Sequence, residues 1–149
     1  MIKELSKNDV NEVATLLRRY WSNRGMKYSQ KWTLDYLKKG HKIELKKEKF
    51  FVLKEKEIMG YISILIWEGN LAELRELVVK EKYKGKNYGK QLVNHALTWC
   101  KNNRIRKVMA LSFPKYKKFI EKFGFRQEGY LKDHFTEGED LLFMSLKLK

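Results

Sequence analysis

The spacing of apolar residues changes along the chain, and the changes outline its elements. Residues 2–5 read as a short strand. Val10, Val13, Leu16 and Leu17 then recur at helical intervals, predicting a helix to about Tyr20 with Ser6 or Asn8 as its cap. Ser29 or Thr33 opens a second amphipathic helix, which carries Trp32, Leu34, Tyr36 and Leu37 and ends near Gly40. From residue 50 the pattern turns β-branched and aromatic. Three strands are predicted at 50–54, 58–67 and 71–79, separated by the turn-like Lys56-Glu57 and Glu68-Gly69-Asn70. Plain alternation puts Leu71, Glu73, Arg75, Leu77 and Val79 on one side of the third. A basic loop leads into a helix over 89–103 with Leu92, Val93, Ala96, Leu97 and Cys100 on one face. Residues 107–113 read as a strand, Pro114 suits the first turn of a further helix, and Gly124 suits its left-handed end. Strands at 125–131 and 141–148 complete the pattern. The predicted order is β-α-α-β-β-β-α-β-α-β-β, a mixed α/β (α+β) chain.

No linker, repeat or low-complexity tract interrupts the 149 residues, so 1–149 is expected to be a single domain. A chain of that length can bury a core without disulfides or a structural metal. No apolar run approaches the roughly 18 residues of a spanning helix. The first residues lack the basic-then-apolar pattern of a secretory signal, so a cytoplasmic protein is expected. Cys100, the single cysteine, sits on an apolar helix face and reads as a small buried hydrophobe, not a nucleophile. His41, His95 and His134 are widely spaced, and no Cys/His spacing resembles a zinc site; no metal is expected.

Charge changes the picture only partly. The chain has 33 basic and 18 acidic residues, a net +15, which favours a polyanionic partner: nucleic acid, anionic lipid or a multiply phosphorylated cofactor. Mixed runs such as Lys46-Lys47-Glu48-Lys49 and Lys54-Glu55-Lys56-Glu57 equally suit a solvated surface. Without a recognition-helix or base-stacking motif, nucleic acid ranks last among the partners. A homodimer stays open.

The segment from Glu81 to Leu92, EKYKGKNYGKQL, carries the candidate chemistry. It joins a hydrophobic strand to an amphipathic helix, where backbone N–H groups are unpaired and the helix dipole is positive. Gly85 and Gly89 let the backbone approach an anion, Asn87 tolerates a left-handed conformation, and Lys84, Lys86 and Lys90 add charge. That chemistry suits a pyrophosphate cradle; a basic surface loop whose glycines serve only turn geometry is the alternative. It is neither a Walker loop nor a dinucleotide fingerprint.

Here the chain resembles the GNAT acetyltransferases, whose Arg/Gln-x-x-Gly-x-Gly/Ala signature follows the fourth strand and holds the CoA pyrophosphate on its amides. Lys84-Gly85-Lys86-Asn87-Tyr88-Gly89 aligns with it, with Lys84 for the arginine or glutamine and Asn87 for the first glycine. The run Ala72-Glu73-Leu74-Arg75-Glu76-Leu77-Val78-Val79 resembles the family's fourth strand. Phe119-Ile120-Glu121-Lys122-Phe123-Gly124-Phe125 resembles its Tyr-x-Lys-x-Gly-Phe element, and Gly138-Glu139-Asp140-Leu141-Leu142-Phe143-Met144 its closing strand. The resemblance covers essentially the whole chain in order. It implies a GNAT-like fold, a central mixed, mostly antiparallel sheet of about seven strands flanked by about four helices, with acetyl-CoA as acetyl donor to a primary amine (small molecule, protein N-terminus or lysine), attacked directly in a ternary complex.

The resemblance also implies roles. Leu77, Val78 and Val79 would hold the pantetheine arm through backbone groups, beside a bulge that splays the strand, with an N–H near Val79 polarising the thioester. Lys84, Gly85, Lys86, Asn87, Tyr88, Gly89 and Lys90 would hold the phosphates. Glu73 and Glu76 are the candidate bases; in a regular strand they face opposite sides, so at most one would reach the cleft. The family's usual acid, a tyrosine, is replaced by Ile120, and Tyr116, one turn earlier, is the candidate substitute. Tyr130, His134 and Phe135 would line the acceptor groove, with Trp21, Tyr28 and Trp32 as the opposite wall. A non-catalytic acyl-CoA-binding or sensor domain of the same fold is the alternative, motivated by Ile120.

Overall fold

The computed structural model describes residues 7–23, 25–39 and 48–149. The expected strand at 2–5, the cap Ser6, the helix end at Gly40 and His41 lie outside the described residues. The chain divides into two compact units, Met1–Glu44 and Leu45–Lys149.

The first unit holds two packed helices, α1 (Val10–Ser22) and α2 (Gln30–Lys39). Helix α1 begins after Asp9, whose carbonyl accepts the Val13 N–H at 3.0 Å, so the start falls one residue beyond Asn8. Val10 and Ala14 are buried, whereas Leu16, expected on the apolar face, is 65% exposed. Helix α2 is capped by Ser29, whose Oγ accepts the Trp32 N–H at 3.1 Å. Thr33, the other candidate cap, is instead buried inside the helix and donates to the Ser29 carbonyl at 3.0 Å. Tyr28, Trp32 and Tyr36 stack in succession, with ring centroids 4.4 and 5.6 Å apart.

The second unit is built on one sheet. Its strands are β1 (Glu48–Lys54), β2 (Ile58–Trp67), β3 (Leu71–Val79), β4 (Lys107–Ser112), β5 (Arg126–Leu131) and β6 (Leu141–Lys147), in spatial order β1-β2-β3-β4-β6-β5. All neighbours pair antiparallel except β3 and β4, which are parallel. A parallel pair needs a crossover, and α3 (Tyr88–Asn102) supplies it, packing on β1, β2 and β3. A short 3₁₀ turn, Glu81–Tyr83, precedes α3; another, Pro114–Tyr116, with Pro114 in its first turn as expected, leads into α4 (Lys117–Glu121). Six strands and four helices match the expected class among the described residues; the seventh strand was the one expected at 2–5. No helix among the described residues is long and apolar enough to cross a membrane.

Two local features fix the geometry of this unit. The first is in β3. Ile62 pairs with Leu77 and Ile64 with Leu74, so two steps of β2 face three of β3, and Arg75-Glu76 holds an extra residue. Ala72, Leu74, Leu77 and Val79 therefore share one face, with partners Ile66, Ile64, Ile62 and Gly60. Leu71 and Glu73 lie on the other, which corrects the single-face reading of that strand. The second is Gly60. A Cβ there would sit 2.8 Å from Leu92 Cδ1 and 3.0 Å from the Val78 carbonyl oxygen. Only a bare backbone lets α3 seat Leu92, which is buried, against the sheet.

Behind that seat lies one core: Ile62, Ile64, Ala72 and Leu74 from the sheet, Val93, Ala96 and Cys100 from α3, and Phe125 and Met144 beyond. Cys100 is fully buried, and burial pushes its thiol up to about 11. Two outcomes follow. Gly60→Ala lowers unfolding stability by about 1–3 kcal/mol through overpacking, read from denaturant melts. Cys100 stays unmodified by a thiol-exchange reagent at pH 8 in the native protein and reacts fully in denaturant.

Candidate active site

Strands β3 and β4 run together only from Leu71 opposite Lys107 to Leu74 opposite Ala110. Past that point the bulge turns β3 away. Residues 77–79 pair only with β2, Arg75 and Glu76 fall in the bulge between registers, and Leu111 and Ser112 pair only with β6. The wedge between them opens a cleft of about 640 Å³, floored by Ile62, Leu74, Val93 and Ala110. One wall is Arg75, Glu76, Leu77 and Val79; the other is Leu111, Ser112, Phe113, Tyr116, Phe119 and Ile120. The facing edge of β3 offers backbone donors and acceptors to anything extended that enters.

The far end of the cleft is the basic loop. Gly85 has φ +77° and Asn87 φ +67°, both left-handed, so the chain doubles back before α3. Asn87 is the flanking residue of that helix and makes no side-chain cap; the first N–H to find a carbonyl in the helix is Gln91, on Asn87 at 3.1 Å. Backbone donors ahead of it are left at the positive end of a 15-residue helix. Lys84, Gly85, Asn87, Tyr88, Gly89 and Lys90 line the cleft. Lys86 does not; its Nζ stands 5.5 Å over the Tyr83 ring. Lys84 is paired with Glu81 at 2.6 Å, which raises its pKa. Lys90 has no ion pair among the described residues.

Tyr83, which lines the cleft, belongs to a cluster that carries no local sequence signal. Glu57, from the β1–β2 turn, accepts from Lys80 Nζ at 2.7 Å, Lys82 Nζ at 2.5 Å and Tyr83 Oη at 2.6 Å. Lys80, Lys82 and then Tyr83 hold the Glu57 carboxyl well below its ordinary 4.5, at about 2. Its stabilising contribution is thus present above the ordinary carboxylate range and is lost only as pH falls towards 2.

The two candidate carboxylates part company at the bulge. Glu76 lines the cleft and accepts the Tyr61 hydroxyl at 2.9 Å. Glu73 is half-buried outside the lining and accepts Trp67 Nε1 at 3.2 Å. Tyr61 was missed in the sequence because a tyrosine in an apolar strand reads as packing. Tyr116 lines the opposite wall, 51% exposed, and Ile120 is a buried aliphatic wall residue. Leu77 and Val79 face the cleft; Val78 points to the other side, where it pairs with Tyr61.

The β5–β6 hairpin reaches the cleft mouth through one contact: Phe135 meets Phe113 edge-on at 5.4 Å. Tyr130 donates to Asp140, whose other oxygen accepts the Asp133 N–H at 2.9 Å, so both stiffen the hairpin. His134 is exposed on it. Tyr28 and Trp32 belong to the first unit, and the Trp21 side chain lies outside those described. Among the described residues no group of three or more His, Cys, Asp or Glu is arranged to hold a metal.

The same architecture recurs in solved structures at low identity. An Ard1 protein from Thermoplasma volcanium matches at 18% identity, covering 100% of this chain and 97% of that one, with a TM-score of 0.65. An N-acetyltransferase from Staphylococcus aureus Mu50 matches at 20% identity over 100% and 98%, with a TM-score of 0.62. An aminoglycoside 6'-N-acetyltransferase solved with coenzyme A matches at 16% over 99% and 97%, with a TM-score of 0.64. These likenesses speak for the fold; the family follows from the sequence itself. The model of the acetyltransferase (GNAT) family matches residues 10–125, most of the chain and all of the bulged strand, the loop and the helix behind it, so the chain belongs to that family.

Proposed function

We propose that the protein, acting as one acetyltransferase domain, transfers the acetyl group of acetyl-CoA to a primary amine by direct attack in a ternary complex. One observation carries the reading: the wedge between β3 and β4 and the donor-rich start of α3 open into the same cleft. An extended pantetheine arm can pair with the free edge at Leu77 and Val79 while the pyrophosphate sits on the loop amides from Gly85 to Lys90. Gly89 lies beside this path: a Cβ there would rest in ordinary contact with Phe119, Val79 and Leu77 at 3.7–3.9 Å.

The chemistry needs a free amine, a stabilised oxyanion and a departing thiolate. The amine nitrogen attacks the thioester carbon; the carbonyl electrons move to oxygen and return as the C–S bond breaks. We assign Glu76 to proton removal from the acceptor ammonium, because it is the carboxylate of the pair that reaches the cleft. Tyr61 fixes its position by donating to it. A carboxylate near pKa 4 is a poor match for an amine near 10, so the proton leaves through water. We assign protonation of the leaving thiolate to Tyr116, whose side chain lines the opposite wall. A thiol of pKa about 8.5 needs little help, which accommodates Ile120 in the family's tyrosine position. The acceptor enters beside Phe113 and Phe135.

Ile120 also favours a second reading, an acyl-CoA sensor without turnover. The two separate in one experiment. Purified protein with acetyl-CoA and a panel of small amines, peptide N-termini and lysine peptides should release free thiol. Glu76→Gln should lower kcat by about 10²–10⁴-fold with donor affinity unchanged. Tight acetyl-CoA binding without thiol release across the panel favours the sensor, and absence of binding removes both readings.

A further inference from the structure

The cradle is only four residues, 84–87, between Tyr83 and Tyr88, and two of them are left-handed. Such a loop aims its amides at an anion only if both ends are held. Each end is held by an aromatic ring. Tyr83 meets Tyr88, the first residue of α3, edge-on at 6.0 Å, and Tyr83 itself is anchored through its hydroxyl to Glu57 at 2.6 Å. The same carboxylate takes Lys80 and Lys82, the residues on either side of the turn's first position. The Lys80 N–H adds a backbone bond to Met59, just past Glu57, at 2.9 Å. The β1–β2 turn therefore grips the start of the cradle by four bonds, and the ring pair carries the grip to its end.

We propose that Glu57 is a positioning residue for donor binding, acting through Tyr83 on the geometry of the loop 84–87. This rests on the loop being the acetyl-CoA cradle. Exposed ion pairs are commonly of little consequence, and a mere surface cluster would leave donor binding alone. The two physical roles open to Glu57 differ in sign. If its charge only neutralised Lys80 and Lys82, removing it would free two cations beside an anion site and tighten binding. If it positions Tyr83, removing it loosens the loop and weakens binding although the site becomes more positive.

The test is acetyl-CoA binding by calorimetry, with donor KM and kcat alongside, in the wild type, Glu57→Ala, Glu57→Gln and Tyr83→Phe. The expected result is a Kd and KM about tenfold higher in Glu57→Ala, which removes both the charge and the acceptor, with kcat at saturating donor within about twofold. Glu57→Gln, whose amide oxygen can still accept from Tyr83, lies closer to the wild type. The loss in Glu57→Ala persists at about 0.5 M salt, where charge effects are screened. Tyr83→Phe keeps the ring against Tyr88 but loses the anchor, so it moves the same way by a smaller factor. The Glu57→Ala, Tyr83→Phe double variant is no weaker than Glu57→Ala alone, since both lose the same bond. Unchanged or tighter binding by Glu57→Ala overturns the proposal, as does a Tyr83→Phe that binds like the wild type. If Glu57→Ala does not fold, Tyr83→Phe decides alone. Failure of the wild type to bind acetyl-CoA would instead overturn the functional reading on which this rests.

Discussion

One extra residue in β3 determines most of what this chain can do. A regular strand would have kept β3 beside β4 along its length, sealing the sheet and leaving no cleft. The insertion at Arg75-Glu76 lets the strands hydrogen-bond as far as Leu74 and Ala110 and then part. It also resets the alternation, so that Leu77 and Val79 rejoin the face of Ala72 and Leu74 while Glu76 turns to Tyr61. Opening and polar lining thus come from a single change of register. The cost is a stretch of backbone with unpaired donors and acceptors, tolerable where water or an extended ligand takes their place.

The bulge works only because α3 is seated hard against the sheet behind it. Gly60 gives up its side chain so that Leu92 can reach β2 and β3, and that contact sets how far the helix start projects towards the wedge. The anion end of the cleft and the strand edge are consequently positioned by the same packing. Overall charge contributes less than the composition implies. Of the five lysines from 80 to 90, two sit on Glu57, one on Glu81 and one over the Tyr83 ring; only Lys90 faces the cleft without such an engagement. The helix terminus and loop amides have to supply most of the attraction for a polyanion, because most of the lysine charge nearby is already partnered.

How legible was this beforehand? Periodicity located the elements well, because Val93, Ala96 and Cys100 on α3 and the apolar run of β2 have one physical reading each. The order of loop, helix and closing strands pointed to the family. The resemblance implied a bulge in this strand, and its phase slip is there in the residues: apolar Ala72 and Leu74 are followed by Leu77 and Val79, one residue out of strict alternation. Counting through the slip put Leu71 and Glu73 on the wrong face. Glu57 and Tyr61 were illegible for a different reason. Their partners lie 15 to 26 residues away, and nothing local distinguishes a turn glutamate that collects two lysines and a tyrosine from one exposed to water. Leu16 shows the complementary limit, since helical spacing names a face but not how much of it is covered.

The aliphatic residue at position 120 can be understood through the leaving group. Ile120 is a buried part of the cleft wall, so an aliphatic side chain stands there in place of the hydroxyl that the family resemblance led one to expect. In a reaction that expelled an amine, that exchange would remove the proton the leaving group requires. A thiolate leaving group, with a thiol pKa of about 8.5, asks much less of a proton donor, so the hydroxyl of Tyr116 is enough in the proposed reaction. The proposed reaction makes its larger demand on the acceptor side. An ammonium acceptor has to lose its proton before it can attack, and Glu76, set by the bulge and bonded by Tyr61, is the carboxylate that we propose for that step.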